Sequence, residues 1–188
     1  VMDGVFVPNI SFGPAVIGAL RPQSKLVFDV HLMITAPERY VDRFIKAGAD
    51  IISFHVEACK DPAALIKTIK AAGVKAAVAI SPDTPAKAIL PYLADIDMAL
   101  IMTVYPGFGG QKFMADMLPK IAAISEYIRK NNLSCAIEVD GGIDVATAPL
   151  VAAAGANVLV AGSAVFGASD AQKKIADIRN EAIKSYIG

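Results

Sequence analysis

The chain has 188 residues, 55% of them hydrophobic, a length and apolar content suited to one domain, spanning 1–188, with a large core. Lys+Arg and Asp+Glu number 18 each, so no broad basic surface exists for nucleic acid or anionic lipid. No apolar run reaches the roughly 20 residues that span a bilayer, and no charged-then-apolar leader opens the sequence. Cys59 and Cys135 both sit in apolar surroundings and read as buried free thiols of a reducing, cytoplasmic compartment.

The first apolar run, residues 1–7, reads as a strand that leaves through an Asp3-Gly4 turn, with helical spacing following over 14–20. A second strand is expected over 26–34 and a helix over 37–47. Strand 51–56, helix 62–72, strand 74–80 and helix 85–93 continue the alternation. Strand 98–104 leads through a glycine-rich loop into helix 114–130. Strand 135–139, helix 146–154, strand 158–161 and helix 171–187 complete it. Several helices open on Pro in the first turn, and Gly48, Gly73 and Gly155 follow the ends of three. The strands are short Val-, Ile- and Phe-rich runs of the kind buried on both faces, and no Pro/Ser-rich linker interrupts them. The pattern predicts a parallel α/β sheet, with seven strands and seven helices where a (β/α)8 TIM barrel has eight of each.

Three strand ends carry glycine. The longest is Thr-Val-Tyr-Pro-Gly-Phe-Gly-Gly-Gln-Lys-Phe over 103–113, with Gly107, Phe108, Gly109 and Gly110. The others are Asp140-Gly141-Gly142 and Gly162-Ser163. One such loop alone reads equally as a tight turn. Three of them, after the last three strands, suggest one shared anion cradle, because glycine lets backbone N–H groups approach an anion closely. A dinucleotide fold would place its glycine loop after the first strand, whereas phosphate sites after the last strands recur in (β/α)8 barrels.

Barrel chemistry is done at the C-terminal ends of the strands, where the polar residues are few. They include Asp3, His31, His55, Glu57, Ser81, Asp140 and Ser163. Alternation puts Asp29, His31 and Met33 on one face, which must look into the barrel or its mouth. His31 there is either a hydrogen-bonded core residue or a ligand. Asp140 either caps the Gly141-Gly142 turn or serves as a partner for a cation or a proton, since burying a carboxylate without a partner is expensive. Histidine and carboxylate together suit Zn2+, Mn2+, Fe2+ or Co2+. Met2, Met33 and Met102 fall at or near strand ends, either as packing or as a soft wall over a substrate.

These residues, in this order, closely resemble the ribulose-phosphate 3-epimerase family. The resemblance rests on Met-Asp-Gly-Val-Phe-Val-Pro-Asn-Ile-Ser-Phe-Gly at 2–13, Phe-Asp-Val-His-Leu-Met at 28–33 and Pro-Gly-Phe-Gly-Gly-Gln-Lys-Phe at 106–113. Glu-Val-Asp-Gly-Gly-Ile at 138–143 and Gly-Ser-Ala at 162–164 complete it. It implies a cytoplasmic (β/α)8 isomerase of carbohydrate metabolism and the pentose phosphate pathway, acting on a small sugar phosphate as a homo-oligomer with a divalent metal. Asp140 would be one of two acid/base carboxylates and, with His31, a metal ligand. Met2, Met33 and Met102 would surround the reacting diol. The phosphate would be held by Gly107, Phe108, Gly109, Gly110, Gly141, Gly142, Gly162 and Ser163.

The family motif runs His-x-Asp-x-Met-Asp-Gly, and here Val1 precedes Met2. The expectation is therefore an N-terminally incomplete chain. It would have seven of eight β/α units, one of two acid/base carboxylates and two of four metal ligands. An allulose 6-phosphate 3-epimerase, or a phosphosugar-binding protein with impaired catalysis, are the alternatives this leaves.

Overall fold

The computed structural model describes residues 1–186. Six strands, β1 (Asp29–Leu32), β2 (Ile51–His55), β3 (Lys75–Ile80), β4 (Met98–Met102), β5 (Ala136–Asp140) and β6 (Val158–Val160), form one parallel sheet in the order β1-β2-β3-β4-β5-β6. The sheet curls, with helices on its outer face, as in a TIM-type α/β barrel. The helices are α1 (Pro14–Leu20), α2 (Val41–Ala47), α3 (Pro62–Ala71), α4 (Leu118–Lys130), α5 (Ala148–Ala153), α6 (Ser163–Phe166) and α7 (Ala171–Ser185).

Two apolar layers follow from strand alternation. Outward-facing Leu32, Phe54, Val78, Ile80, Ile101 and Val139 pack with Phe44, Ile66, Ile69, Ile121, Ile124 and Val151 of the helices in the main core. Inward, Ala79, Leu100, Met102 and Val104 form a smaller cluster, and the buried polar side chains Ser53, His55 and Glu138 share that face. Register aligns them, with His31 beside Ser53, His55 beside Ala79, Leu100 beside Glu138 and Met102 beside Asp140.

Local chemistry sets the boundaries. Asp61 caps α3 by accepting from the Ala64 N–H at 3.0 Å, Pro62 opens its first turn, and Gly73 follows its end at φ +76°. Asp170 caps α7 in the same way through the Lys173 N–H.

Three expectations are corrected. Residues 1–7 do not form a strand. Met2 bridges Met33 in parallel and Asp3 bridges Ile10, but the Asp3 carboxylate accepts from the Val5 and Phe6 N–H groups and Gly4 turns at φ +75°, which breaks the extended run. Strand 26–34 shrinks to β1 because Leu26 and Val27 stand exposed beside Arg21, which takes the Leu26 carbonyl. Helix 85–93 resolves into two 3-10 turns, Ala86–Ala88 and Leu90–Tyr92, since Pro91 interrupts any helical hydrogen-bond ladder there. The short α6 after Gly162 was not expected from the pattern. Ile187, placed in the last expected helix, lies outside the described residues.

Candidate active site

At the C-terminal ends of the strands lies a cleft of about 150 Å3. It is lined by Met2, Met33, Met102, Gly107, Phe108, Gly109, Gly110, Asp140, Gly141, Gly142, Gly162 and Ser163. Of the residues singled out from the sequence, the three methionines, Asp140, Ser163 and the residues of the glycine loops are thus brought together there, whereas Asp3, His31, His55, Glu57 and Ser81 do not line it. His31 sits one residue pair below, on the same face of β1. A larger cavity of about 650 Å3 opens between β6, α5 and α7, lined by aliphatic side chains with Phe166, Tyr186 and Arg179. Its lining contains no carboxylate or imidazole.

The cleft floor is backbone packed on backbone. Gly141 has φ +128°, and a Cβ there would lie 2.8 Å from the Val104 nitrogen. Gly142 has φ +64°, and a Cβ would lie 2.5 Å from the nitrogen of Phe113 and 2.6 Å from its Cα. The side chain of Thr103, fully buried, ties the loops after β4 and β5 by donating to the Gly141 carbonyl at 2.6 Å, while its N–H donates to the Asp140 carbonyl at 2.8 Å. Thr147 donates to the Gly142 carbonyl at 2.8 Å. In the 103–113 loop, Gln111 donates to the carbonyls of Tyr105 and Phe108, and Asn9 reaches across to the Gly107 carbonyl at 3.0 Å. With these carbonyls turned into the scaffold, the glycine loops form a fixed rim. Ser163 stands at that rim, 4.0 Å from where a Gly110 Cβ would be.

Asp140 is the single carboxylate lining the cleft, and it makes no salt bridge among the described residues. Burial pushes its pKa up, opposed by the neighbouring His55. One layer below, Glu138 is raised further, by burial and by the Asp29 carboxylate, to which it gives a hydrogen bond. Burial likewise holds His31 neutral, well below the usual imidazole range, with His55 adding to the shift.

Ser53 took no role in the sequence reading, and it enters here with His55 and Glu57, noted there only as polar residues at a strand end. His31 Nδ1 lies 2.9 Å from Ser53 Oγ, and His31 Nε2 lies 3.2 Å from His55 Nε2. His55 Nδ1 in turn meets Glu57 Oε2 at 3.2 Å. The signal available was spacing: Ser53, His55 and Glu57 alternate along β2 and its exit, but their meeting with His31 is a cross-strand fact. Donor chemistry at His31 and Asp140 suits a borderline divalent ion, although among the described residues no three His, Cys, Asp or Glu side chains gather closely enough to hold one unaided.

A family model described as the Ribulose-phosphate 3 epimerase family matches residues 1–166. The chain belongs to that family. A ribulose-phosphate 3-epimerase from Bacillus subtilis is 53% identical over 180 residues, covering 95% of this chain and 83% of the relative. One from Eremothecium gossypii is 47% identical, covering 100% and 81%. Among solved structures, a 3-hexulose-6-phosphate synthase superposes with a TM-score of 0.66 at 27% identity, covering 89% of this chain and 80% of that one. A 3-keto-L-gulonate-6-phosphate decarboxylase from Vibrio cholerae reaches 0.71 at 17% identity, covering 98% and 89%, a likeness of fold alone. The motifs of the family-like sequence map onto the cleft: 106–113 and 138–143 supply its rim and floor, and 28–33 supplies Met33 and the strand bearing His31.

Proposed function

We propose that the protein is a ribulose-phosphate 3-epimerase, interconverting ribulose 5-phosphate and xylulose 5-phosphate by proton transfer at C3 through an enediolate. One observation carries the reading: a half-buried carboxyl of raised proton affinity, Asp140, faces the same narrow cleft as a rim of three glycine loops. The C3 proton lies α to a ketone, so its removal requires a base on one face of the carbon and stabilisation of the oxyanion that develops. Asp140 serves as the proton carrier on its face, and burial brings its proton affinity closer to working pH. Gly107, Phe108, Gly109 and Gly110, with Gly142, Gly162 and Ser163, would bind the phosphate through N–H groups and the Ser163 hydroxyl. Met2, Met33 and Met102 would line the diol with apolar surface and exclude water from it. His31 and Asp140 would hold a divalent ion, which when bound supplies Lewis-acid stabilisation of the developing charge.

The test is exchange of the C3 hydrogen of ribulose 5-phosphate with deuterium oxide, followed by NMR on protein supplied with Zn2+, Mn2+ or Co2+. Exchange at C3 is expected, and Asp140→Asn should reduce it roughly 10²–10⁴-fold. A protein that binds the sugar phosphate and exchanges nothing is a binding protein, and faster exchange of allulose 6-phosphate would reassign the substrate.

A further inference from the structure

We propose that Tyr105 is a positioning residue for substrate binding: its hydroxyl, held by Asp83, latches the 103–113 glycine loop to the turn after β3 and keeps the cleft rim in its binding shape. The inference rests on the reading that this rim holds the substrate's phosphate. It adds two residues that do not line the cleft.

The loop cannot hold its own shape. Gly107, Gly109 and Gly110 fall within four residues, Gly107 and Gly110 at φ +127° and +73°, and a Cβ on Gly109 would meet nothing within 4 Å. Backbone this permissive has much freedom to lose, and a ligand that must order it binds more weakly. Gln111 closes the loop on itself through the Tyr105 and Phe108 carbonyls, so the closed ring still needs an anchor. Among the described residues, hydrogen bonds join residues 105–111 to the rest of the molecule at two points. The Asn9 side chain donates to the Gly107 carbonyl at 3.0 Å, and the Tyr105 hydroxyl donates to Asp83 Oδ1 at 2.8 Å.

The two anchors differ in stiffness. Asn9 belongs to a surface segment in which Val5 and Ile10 stand exposed. Asp83 belongs to a turn gripped from several sides. The Thr84 N–H closes that turn on the Ser81 carbonyl at 3.1 Å, and Glu57 accepts from the Ser81 N–H at 2.8 Å and from the Thr84 hydroxyl. Lys120 of α4 donates to the Ser81 and Pro82 carbonyls at 3.1 and 2.6 Å. The glycine loop runs on into α4, so one turn holds the segment at both ends, through Tyr105 before the glycines and Lys120 after them. Val104 and Pro106 line the cleft, while Tyr105 between them is half-exposed and turned away towards Asp83. Pro106 biases the Tyr105 backbone to the extended region, which helps to aim the ring. The Asp83 carboxylate keeps the hydroxyl a donor, its pKa raised by the hydrogen bond and then by the carboxylate charge. Losing this bond changes no atom that faces the substrate; it changes how often the rim is in shape to receive one.

Tyr105→Phe keeps the ring and removes the donor, and Asp83→Ala removes the acceptor. Amide hydrogen exchange of the ligand-free protein, read by mass spectrometry, should show residues 107–112 exchanging about 3–10-fold faster in either variant, with β4 unchanged. In steady-state kinetics the KM for ribulose 5-phosphate should rise by a similar factor, about 3–10-fold, while kcat holds, because Asp140 and His31 are untouched. The double variant should be no worse than either single one, since both remove the same bond. Unchanged loop exchange in Tyr105→Phe, additive KM rises in the double variant, or a fall in kcat with KM unchanged would overturn the assignment. Should the loop exchange faster in both variants while the unmodified protein turns over no ribulose 5-phosphate, the bond stands as the loop's anchor and the epimerase reading is what fails.

Discussion

Replacing Gly142 by alanine probes the cleft floor with an internal control. Gly73 and Gly142 share a left-handed backbone, at φ +76° and +64°, but a Cβ on Gly73 meets nothing within 4 Å whereas one on Gly142 meets Phe113 backbone at 2.5 and 2.6 Å. For an alanine, the left-handed conformation costs about 1–2 kcal/mol, partly offset by about 0.4–1 kcal/mol through a stiffer unfolded chain. Gly73→Ala should therefore lose about 1 kcal/mol. Gly142→Ala adds an overlap of about 1 Å with main chain that has no rotamer to escape into, and overpacking of this kind costs about 1–3 kcal/mol. The total is then about 2–4 kcal/mol. At about 2–4 °C per kcal/mol for a chain of this size, Tm should fall by about 2–4 °C for Gly73→Ala and by about 4–16 °C for Gly142→Ala. Because the shifted segment is the cleft rim, Gly142→Ala should also raise the KM for ribulose 5-phosphate at least tenfold, and Gly73→Ala should not. Scanning calorimetry with steady-state kinetics decides it. Equal Tm losses in the two variants, or an unchanged KM in Gly142→Ala, would refute the claim that this glycine is required by the contact of two loops.

Glu138 is protonated in the folded protein, its pKa raised by burial and by Asp29 to about 9. The folded state therefore holds a proton that the unfolded state releases near 4.5, and stability should fall as pH rises from about 4.5 towards about 9. Glu138→Gln should flatten that slope and raise the urea midpoint at pH 8, and a parallel slope in the variant would exclude Glu138 as its source. Arg21 lies 3.9 Å over the Phe28 ring while donating to the Asp50 carboxylate at 2.7 Å and to the carbonyls of Ser24 and Leu26. Arg21→Lys keeps the charge but not the planar fork, and should lower stability by about 1–2 kcal/mol in urea titration; no loss would reduce its role to charge. The thiols of Cys59 and Cys135, both free and half-buried, are pushed up to about 11 and about 12, chiefly by burial. Alkylation by iodoacetamide at pH 8 should run roughly 100-fold or more slower than for free cysteine, and rapid labelling would show that the strand ends around them open.

The glycine rim of the cleft was legible in the sequence because glycine marks it locally: residues 107–110, 141–142 and 162 each stand at a strand end and need no distant partner to be noticed. The reacting end was legible only in part. Asp140 announced itself as a carboxylate ending an apolar strand. The contact of His55 with His31 depends on the register that sets His31 beside Ser53 and His55 one step beyond, and no spacing along the chain reveals register. Errors in the fold have the same origin. Residues 1–7 have strand composition, but the Asp3 side chain closes a local turn that outweighs it. Pro91 was visible within the expected helix 85–93, yet whether proline opens a helix or ends one depends on which carbonyls the preceding turn leaves free.

Because each strand pairs only with its neighbours in the chain, in the order β1-β2-β3-β4-β5-β6, the sheet assembles without any loop having to close over a strand not yet placed. Such a topology behaves as a row of coupled units, each stabilised by the one before and after. The middle of the row, β3 and β4, with Ala76 to Ile80 and Ala99 to Met102 all essentially inaccessible, should be the slowest-exchanging amides in the molecule. Opening should start from β1 and β6 and travel inward. The cleft is read from β4, β5 and β6 together, so its rim reaches from the most firmly held strand of the row to the least. A sugar phosphate bound there would act as a staple across that gradient, protecting the β6 amides far more than those of β4.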